Sequence, residues 1–402
     1  MPSLKHIIKG LFFTTHCIAM LVLIPLLAQE TNDTTAVKTD SIDTKKTISE
    51  LTRSSLKIEG LFTFFQDTVN GSVQMLIDKN QLNKEYIHFV HTLDGVVDVG
   101  YFRGAYKTSK IFEIRKYFNR LEFVSINTAY YFDPSNPLSR AETANINAAV
   151  LATLEITAND EKTGAMLLKV DDMFLSENLY QIKPTPKPET KPGSRFTLGS
   201  LNKKKCQYIG INNYPLNSDV VIKYVYDNPM PVNRGGPGIT DPRAVHMVIQ
   251  HSFIAVPKNN YDPRYDDPRV GYFMTQVTDL TSTSNTPYRD FIHRWNLVKK
   301  EPSTPISEPV DPIVFWIENT TPTEFRPAVK EGVLRWNRAF RAAGFKNAIQ
   351  VKIQPDAAEW DAGDIRYNVL RWTSSPRPPF GGYGPSFVNP RTGQILGADI
   401  ML

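Results

Sequence analysis

The sequence predicts an α+β, multi-domain chain in which mainly antiparallel β domains come first and a stretch of α/β character follows. Three observations predict it. Between residues 56 and 294, short runs rich in β-branched and aromatic residues recur, separated by Gly, Pro, Asn and Asp. From Pro312 the pattern becomes strand, helix, strand. The 402 residues include 29 Pro and 22 Gly, yet 41% are hydrophobic, so the chain can bury more than one core while turning often.

The N-terminus reads as an export signal. Lys5, His6 and Lys9 precede an apolar run from Leu11 to Leu27, and Ala28 is followed by Gln29-Glu30. A positive start, an apolar stretch and a small residue before a polar one mark a signal peptide over 1–28. Residues 29–50, rich in Thr, Asp and Lys, read as a flexible tether. Cys17 would leave with the leader and Cys206 would stand alone, so no intrachain disulfide is expected. The formal net charge is +5, with Lys5 and Lys9 supplying two units and 46 basic residues facing 41 acidic ones. Such a balance leaves no footprint for nucleic acid, and no stable membrane span is expected after signal cleavage.

A small β domain is expected over 51–98. Asn70-Gly71 between Phe62–Phe65 and Val73–Ile77 predicts a hairpin with a type I′ turn. A larger β-rich domain is expected over 99–298, with strands at 111–114, 121–126, 150–156, 166–170, 220–226, 247–256 and 272–277. Within it Pro184, Pro186, Pro188 and Pro192 predict an extended exposed loop. A Pro-rich linker follows over 299–311. Ile313–Ile317 then reads as a buried strand. Thr321, Pro322 and Glu324 predict a capped helix start. Phe325, Val329, Val333, Trp336, Phe340 and Ala343 give that helix one apolar face, and Gly344 ends it. Strands are expected at 349–353, 365–372 and 395–402.

The histidines give no metal-ligand pattern. His88 and His91, three apart on a strand, point to opposite faces, as do His246 and His251, and His293 is isolated. No His-Glu-x-x-His, Gly-x-Ser-x-Gly, Cys-x-x-Cys or phosphate-loop motif occurs. Asp361 and Asp364 read as caps of the turn before a strand, and Asp399 as a single acid on a strand.

Other stretches are more specific. They are Pro312-Ile313-Val314-Phe315-Trp316-Ile317-Glu318-Asn319, then Gly332-Val333-Leu334-Arg335-Trp336-Asn337, and Trp360-Asp361-Ala362-Gly363-Asp364-Ile365-Arg366-Tyr367-Asn368. Asn389-Pro390-Arg391-Thr392-Gly393-Gln394-Ile395-Leu396-Gly397-Ala398-Asp399-Ile400 continues the series, and Tyr261-Asp262-Pro263-Arg264 with Asp267-Pro268-Arg269 precedes it. Together they resemble bacterial secreted zinc-dependent metalloproteases of metzincin type, whose β-rich N-terminal domains have no known function.

That resemblance implies that 312–402 open a catalytic domain as an incomplete metzincin-like upper subdomain. Its last strand would be an edge strand, and the zinc-binding helix would come next. The sequence ends at Leu402, on that expected edge strand. No catalytic residue and no metal ligand is therefore carried over: zinc is expected in the full-length parent, with none bound by this chain. Gln394, Ile395, Leu396, Gly397 and Ala398 are the residues expected to pair with an extended peptide or protein substrate.

The expected function is the N-terminal portion of an exported zinc-dependent metallopeptidase. The parent would hydrolyse peptide bonds with zinc-activated water, and this chain would be inactive alone. The alternative is a non-catalytic exported binding or scaffold protein of the cell envelope. Periplasm, cell surface and exterior are all open as compartments.

Overall fold

A computed structural model describes residues 46–402, apart from 186–190, 192 and 376–379. The expected signal peptide, residues 29–45 of the expected tether, and Pro186, Pro188 and Pro192 lie outside the described residues. The end of the expected tether is folded. Helix α1 (Ile48–Leu51) is capped by Thr47, whose Oγ1 accepts the Glu50 N–H at 3.3 Å while the Glu50 carboxylate accepts the Thr47 N–H at 2.8 Å. Ile48 and Leu51 pack on Phe65, Ala158 and Leu167.

The chain is mostly β, and antiparallel pairing dominates. The early strands are β1 (Ser55–Ile58), β2 (Thr63–Asp67), β3 (Val73–Ile77), β4 (Glu85–Asp94), β5 (Tyr106–Tyr117), β6 (Arg120–Ile126) and β7 (Tyr130–Tyr131). Then come β8 (Ala149–Asn159), β9 (Met166–Lys169), helix α2 (Asp171–Phe174), β10 (Ser200–Leu201), β11 (Gln207–Asn213), β12 (Asn217–Asp227) and β13 (Ala244–Ala255). Among the described residues all of these strands except β7 form one 12-stranded sheet, in the order β1-β2-β3-β9-β8-β6-β5-β4-β13-β12-β10, with β11 also on β12.

Strand β4 lies in the middle of this sheet, between β5 and β13. The expected boundary at 98/99 is therefore corrected: one sheet runs through both expected β domains. The non-local pairing of β4 with β13 decides this, and no local pattern encodes it. The β2–β3 hairpin forms as expected, but its turn differs. Gly71 has φ +75° and Asn70 is not among the positive-φ residues. The Asp67 side chain instead takes the N–H groups of Val69 and Asn70, which closes a longer turn than type I′.

The sheet curls. Beyond β1, the Leu61 N–H donates to Tyr214 O at 2.8 Å and the Asn213 amide donates to Ile58 O at 3.0 Å, so the first edge approaches the β11–β12 turn. Strand alternation sends Tyr86 and Val90 of β4, Phe112 of β5, Phe123 of β6, Ile222 of β12 and Phe253 of β13 into one continuous core. The other face of β4 and β13 carries Ile87, Phe89 and Ile254 outward, onto Ile365, Phe387 and Leu396 from further along the chain.

Two small pairs follow, β14 (Met274–Thr275) with β16 (Phe291–Ile292), and β15 (Thr278–Asp279) with β7. The second large sheet has its own core. It holds β17 (Arg294–Trp295), β18 (Ile313–Ile317), β19 (Ile349–Ile353), β20 (Asn368–Arg371), β21 (Ser386–Val388) and β22 (Gln394–Met401), in the order β17-β22-β20-β18-β19 with β21 on β22. All its pairings are parallel except β21 with β22.

Helices α3 (Arg326–Leu334) and α4 (Asn337–Ala342) cross between β18 and β19. The expected single helix from Pro322 is thus split and starts later. Residues 322–325 form a turn, and Pro327 takes the first helical turn, where its missing N–H costs nothing. Of the expected apolar face, Val329, Val333 and Phe340 pack on the core formed by β18, β19, β20 and β22, but Trp336 is 64% exposed. The expected 299–311 linker is not a free spacer either. Lys299 bridges Pro309, its ammonium donates to Thr304 O and Pro305 O, and Ser307 pairs with Phe345.

Candidate functional site

The seam where the second sheet lies on the outer face of the first is where polar groups concentrate. On β12, Val220, Ile222 and Tyr224 enter the core, so Asn217 and Asp219 face outward. The same alternation turns His91 of β4 and Gln250 and Ser252 of β13 outward. Opposite them come Gly363 in the loop before β20, Arg371 of β20 and Asp399 of β22. His91, Gln250, Ser252, Gly363, Arg371 and Asp399 line a cavity of about 20 Å³, roughly the room one water needs.

Asn217 ties the two layers together. Its amide donates to Gly363 O at 2.9 Å and to Asp219 Oδ1 at 3.1 Å, and its oxygen accepts the Ile365 N–H at 3.2 Å. Three other buried atoms have no protein partner: His91 Nδ1, Asp219 Oδ2 and Asp399 Oδ1. Arg371 does not serve Asp399 as a close ion-pair partner, since it pairs with Glu318 at 3.3 Å. Burial pushes the Asp219 carboxyl up to about 8, against hydrogen bonds from Ser252 and Asn217, and pushes Asp399 up to about 7, against the charge of Arg371. Burial first, then Arg371, lowers His91 to about 3. In the neutral range this cluster therefore holds a neutral imidazole beside two carboxyls that resist ionisation.

The expected turn caps are in place. Asp361 accepts from the Tyr214 hydroxyl at 2.5 Å and the Gly363 N–H at 2.7 Å. Asp364 is fully buried and holds Arg366 at 2.6 Å. Histidines 88 and 251, unrelated in the sequence, meet inside the core. His88 Nε2 lies 3.0 Å from His251 Nδ1, and Tyr224 Oη lies 2.8 Å from His251 Nε2. His246 is exposed and His293 meets Thr275 Oγ1 at 3.0 Å.

The expected peptide-pairing edge at Gln394, Ile395, Leu396, Gly397 and Ala398 is occupied. Strand β21 pairs antiparallel with 395–398, and β17 and β20 pair with the ends of the same strand. This corrects the expectation that β22 is an edge: β21 takes the outer place beside it. The side chains of Gln394, Ile395 and Leu396 do line a cleft of about 320 Å³, together with Trp295, Leu297 and Ile254.

The polar cluster itself was not singled out in the sequence. Its residues lie in the polar runs Asn217-Ser218-Asp219 and Gln250-His251-Ser252 within strands that also hold apolar residues. Because Ser218 and His251 between them are polar too, such runs tell neither which face is outward nor what covers it. Among the described residues no group of three or more His, Cys, Asp or Glu is placed to hold a metal ion. Among the same residues no helix is long and apolar enough to cross a membrane.

No curated protein and no solved structure matches the chain. Residues 106–300, which span β5 to β17, match the family model described as a domain of unknown function, DUF5117.

Proposed function

We propose that this chain is the front portion of an exported zinc-dependent metallopeptidase. Residues 312–402 would open the catalytic domain, and the curled β sheet would be the platform beneath it. The observation that carries this reading is the β18–α3–α4–β19 crossover, continued by β20, β21 and β22 in one sheet. These elements lie on the segments whose motifs resemble the protease family. In this reading the metal belongs to the parent protein, and the residues described here supply the walls around the substrate. Pairing with an extended peptide falls to the outer side of β21, since β21 already covers β22. Export rests on the expected leader over 1–28.

Sequencing the gene through and past codon 402, in all three frames, tests the proposal. A His-Glu-x-x-His helix shortly downstream supports it. An unbroken downstream sequence without one in any frame overturns it.

A second reading, a non-catalytic exported binding or scaffold protein of the envelope, is favoured by the cleft of about 320 Å³ at the seam. Its apolar walls and few polar groups are of the kind that hold small ligands. Saturable, chelator-insensitive binding of an envelope peptide or glycan by residues 46–402, lost on Leu396→Arg, supports it. Failure to bind any such ligand weakens it.

A further inference from the structure

The seam holds two carboxyls, Asp219 at 0% and Asp399 at 4% exposure, each with an oxygen that no protein group satisfies. We propose that this cluster is a proton-operated latch: the second sheet stays docked on the curled sheet while Asp219 and Asp399 are neutral, and loosens when they ionise.

The geometry argues as follows. Asp219 reaches across the seam to the 361–364 loop, since a Cβ added at Gly363 would sit 2.7 Å from its Oδ2 and 3.0 Å from Asp361 Oδ1. The groups facing Asp219 are Asn217 of its own strand, Ser252 of β13, and the acidic Asp361 and Asp399 of the other layer. Around Asp399 are Arg371 on β20, Glu318 after β18 and Asp361 in the loop. His91 on β4 lines the same cavity.

Of the cations nearby, Arg371 is held by Glu318 and Arg366 by Asp364. Two negative charges formed here would face Asp361 and each other with neither cation free to pair with them. A buried unpaired charge is strongly unfavourable, and opening the seam to water relieves that cost. The cavity between the layers, about 20 Å³, offers water a starting point. The upward displacement of both carboxyls, to about 8 and about 7, puts the change in the neutral range.

Hydrogen exchange of the full chain between pH 6 and pH 9, corrected for intrinsic rates, tests the latch. Protection of β20, β22 and the facing half of β13 is expected to fall by about tenfold or more over this range, from the tenfold per pH unit that each unmatched proton allows. Protection of β5 and β6 should stay level. The double variant Asp219→Asn, Asp399→Asn is expected to keep its seam protection flat with pH. A seam whose protection tracks β5 and β6, or a double variant that loses it as the wild type does, overturns the proposal. If the double variant does not fold, carboxyl ¹³C NMR of Asp-labelled wild type decides. Two carboxyls titrating above pH 6 support the latch, and all titrating below pH 5 overturns it.

Discussion

Arg391 and Glu85, 306 residues apart in the sequence, form a forked ion pair that ties the turn before β22 to the start of β4. The Arg391 Nε–H lies 3.1 and 3.3 Å from the two carboxylate oxygens, and Nη2 meets the first of them as well. The pair sits at the rim of the seam, with side chains 37% and 31% exposed. A double-mutant cycle with Arg391→Ala and Glu85→Ala is expected to give a coupling of about 1 kcal/mol or less that shrinks with added salt. Urea unfolding at two salt concentrations measures it, and a salt-independent coupling of several kcal/mol would contradict a rim position.

The core histidine chain makes a sharper prediction. The Tyr224 hydroxyl donates to Phe174 O at 2.8 Å, so His251 Nε2–H must donate to the Tyr224 oxygen. His251 Nδ1 then accepts from His88 Nε2–H, leaving His88 Nδ1 as the bare acceptor without a partner. Tyr224→Phe strands both the Phe174 carbonyl and the His251 N–H in a dry core. It is expected to cost about 1–3 kcal/mol in denaturant unfolding. A neutral result would mean that water already reaches this chain.

Stability should peak near pH 6.5 and fall on both sides. Burial depresses His91 and His251 to about 3 and holds His88 well below the ordinary histidine range, so their stabilising neutrality is present above that range and is lost as pH falls below it. Asp399 and Asp219 are raised to about 7 and about 8, so their contribution is full below the ordinary carboxylate range and is lost as pH rises through the folded values. Between about pH 4 and 6.5 three imidazoles outweigh two carboxyls, and above it only the carboxyls act. Urea midpoints measured from pH 4.5 to 9 check this. A steady rise through pH 8 would rule it out.

Gly393 is a position that alanine cannot fill. Its φ is +74°, and an added Cβ would sit 2.4 Å from Ile292 O. Gly393→Ala combines a left-handed backbone with a backbone clash and should destabilise by about 2 kcal/mol or more. Gly71 also has a positive φ but open space around it, so Gly71→Ala should cost less, about 1 kcal/mol. Thermal unfolding of the two variants side by side separates clash from conformation.

Two aromatic residues should respond very differently to truncation. Phe253 is 1% exposed and packs edge-on against Phe62 and Phe112 in the core. Phe253→Ala is expected to cost about 3–5 kcal/mol. Trp336 is 64% exposed on the far side of the helices, and Trp336→Ala should change stability by about 0.5 kcal/mol or less. Comparable losses would mean that Trp336 is covered in solution.

Much of the strand inventory was readable from period and punctuation. The expected strands at 220–226 and 247–256 fall on β12 and β13, because both stretches are rich in β-branched and aromatic residues, although neither alternates in residue type. Ile313–Ile317 and Ile349–Ile353 are strands with the expected bounds. The helix start was misplaced because Thr321 and Pro322 satisfy the local cap pattern, while Pro327 sits where a helix can also begin. The candidate site was legible only as isolated polar residues. Asp219, Gln250 and His91 are polar positions on good strands, and their spacing says that they face outward together only once β4, β13 and β12 are known to be neighbours.

By itself, then, the sequence determined the local order: where strands lie, which of their faces are apolar, and where strand-rich chain gives way to strand–helix–strand. Those features follow from side-chain period and turn chemistry, which act over a few residues. Tertiary structure alone decided that the two expected β domains share one sheet, that β21 covers β22, and that two carboxyls are sealed between layers. Each of these joins segments tens to hundreds of residues apart, and their pairing is chosen by the burial of whole faces against one another.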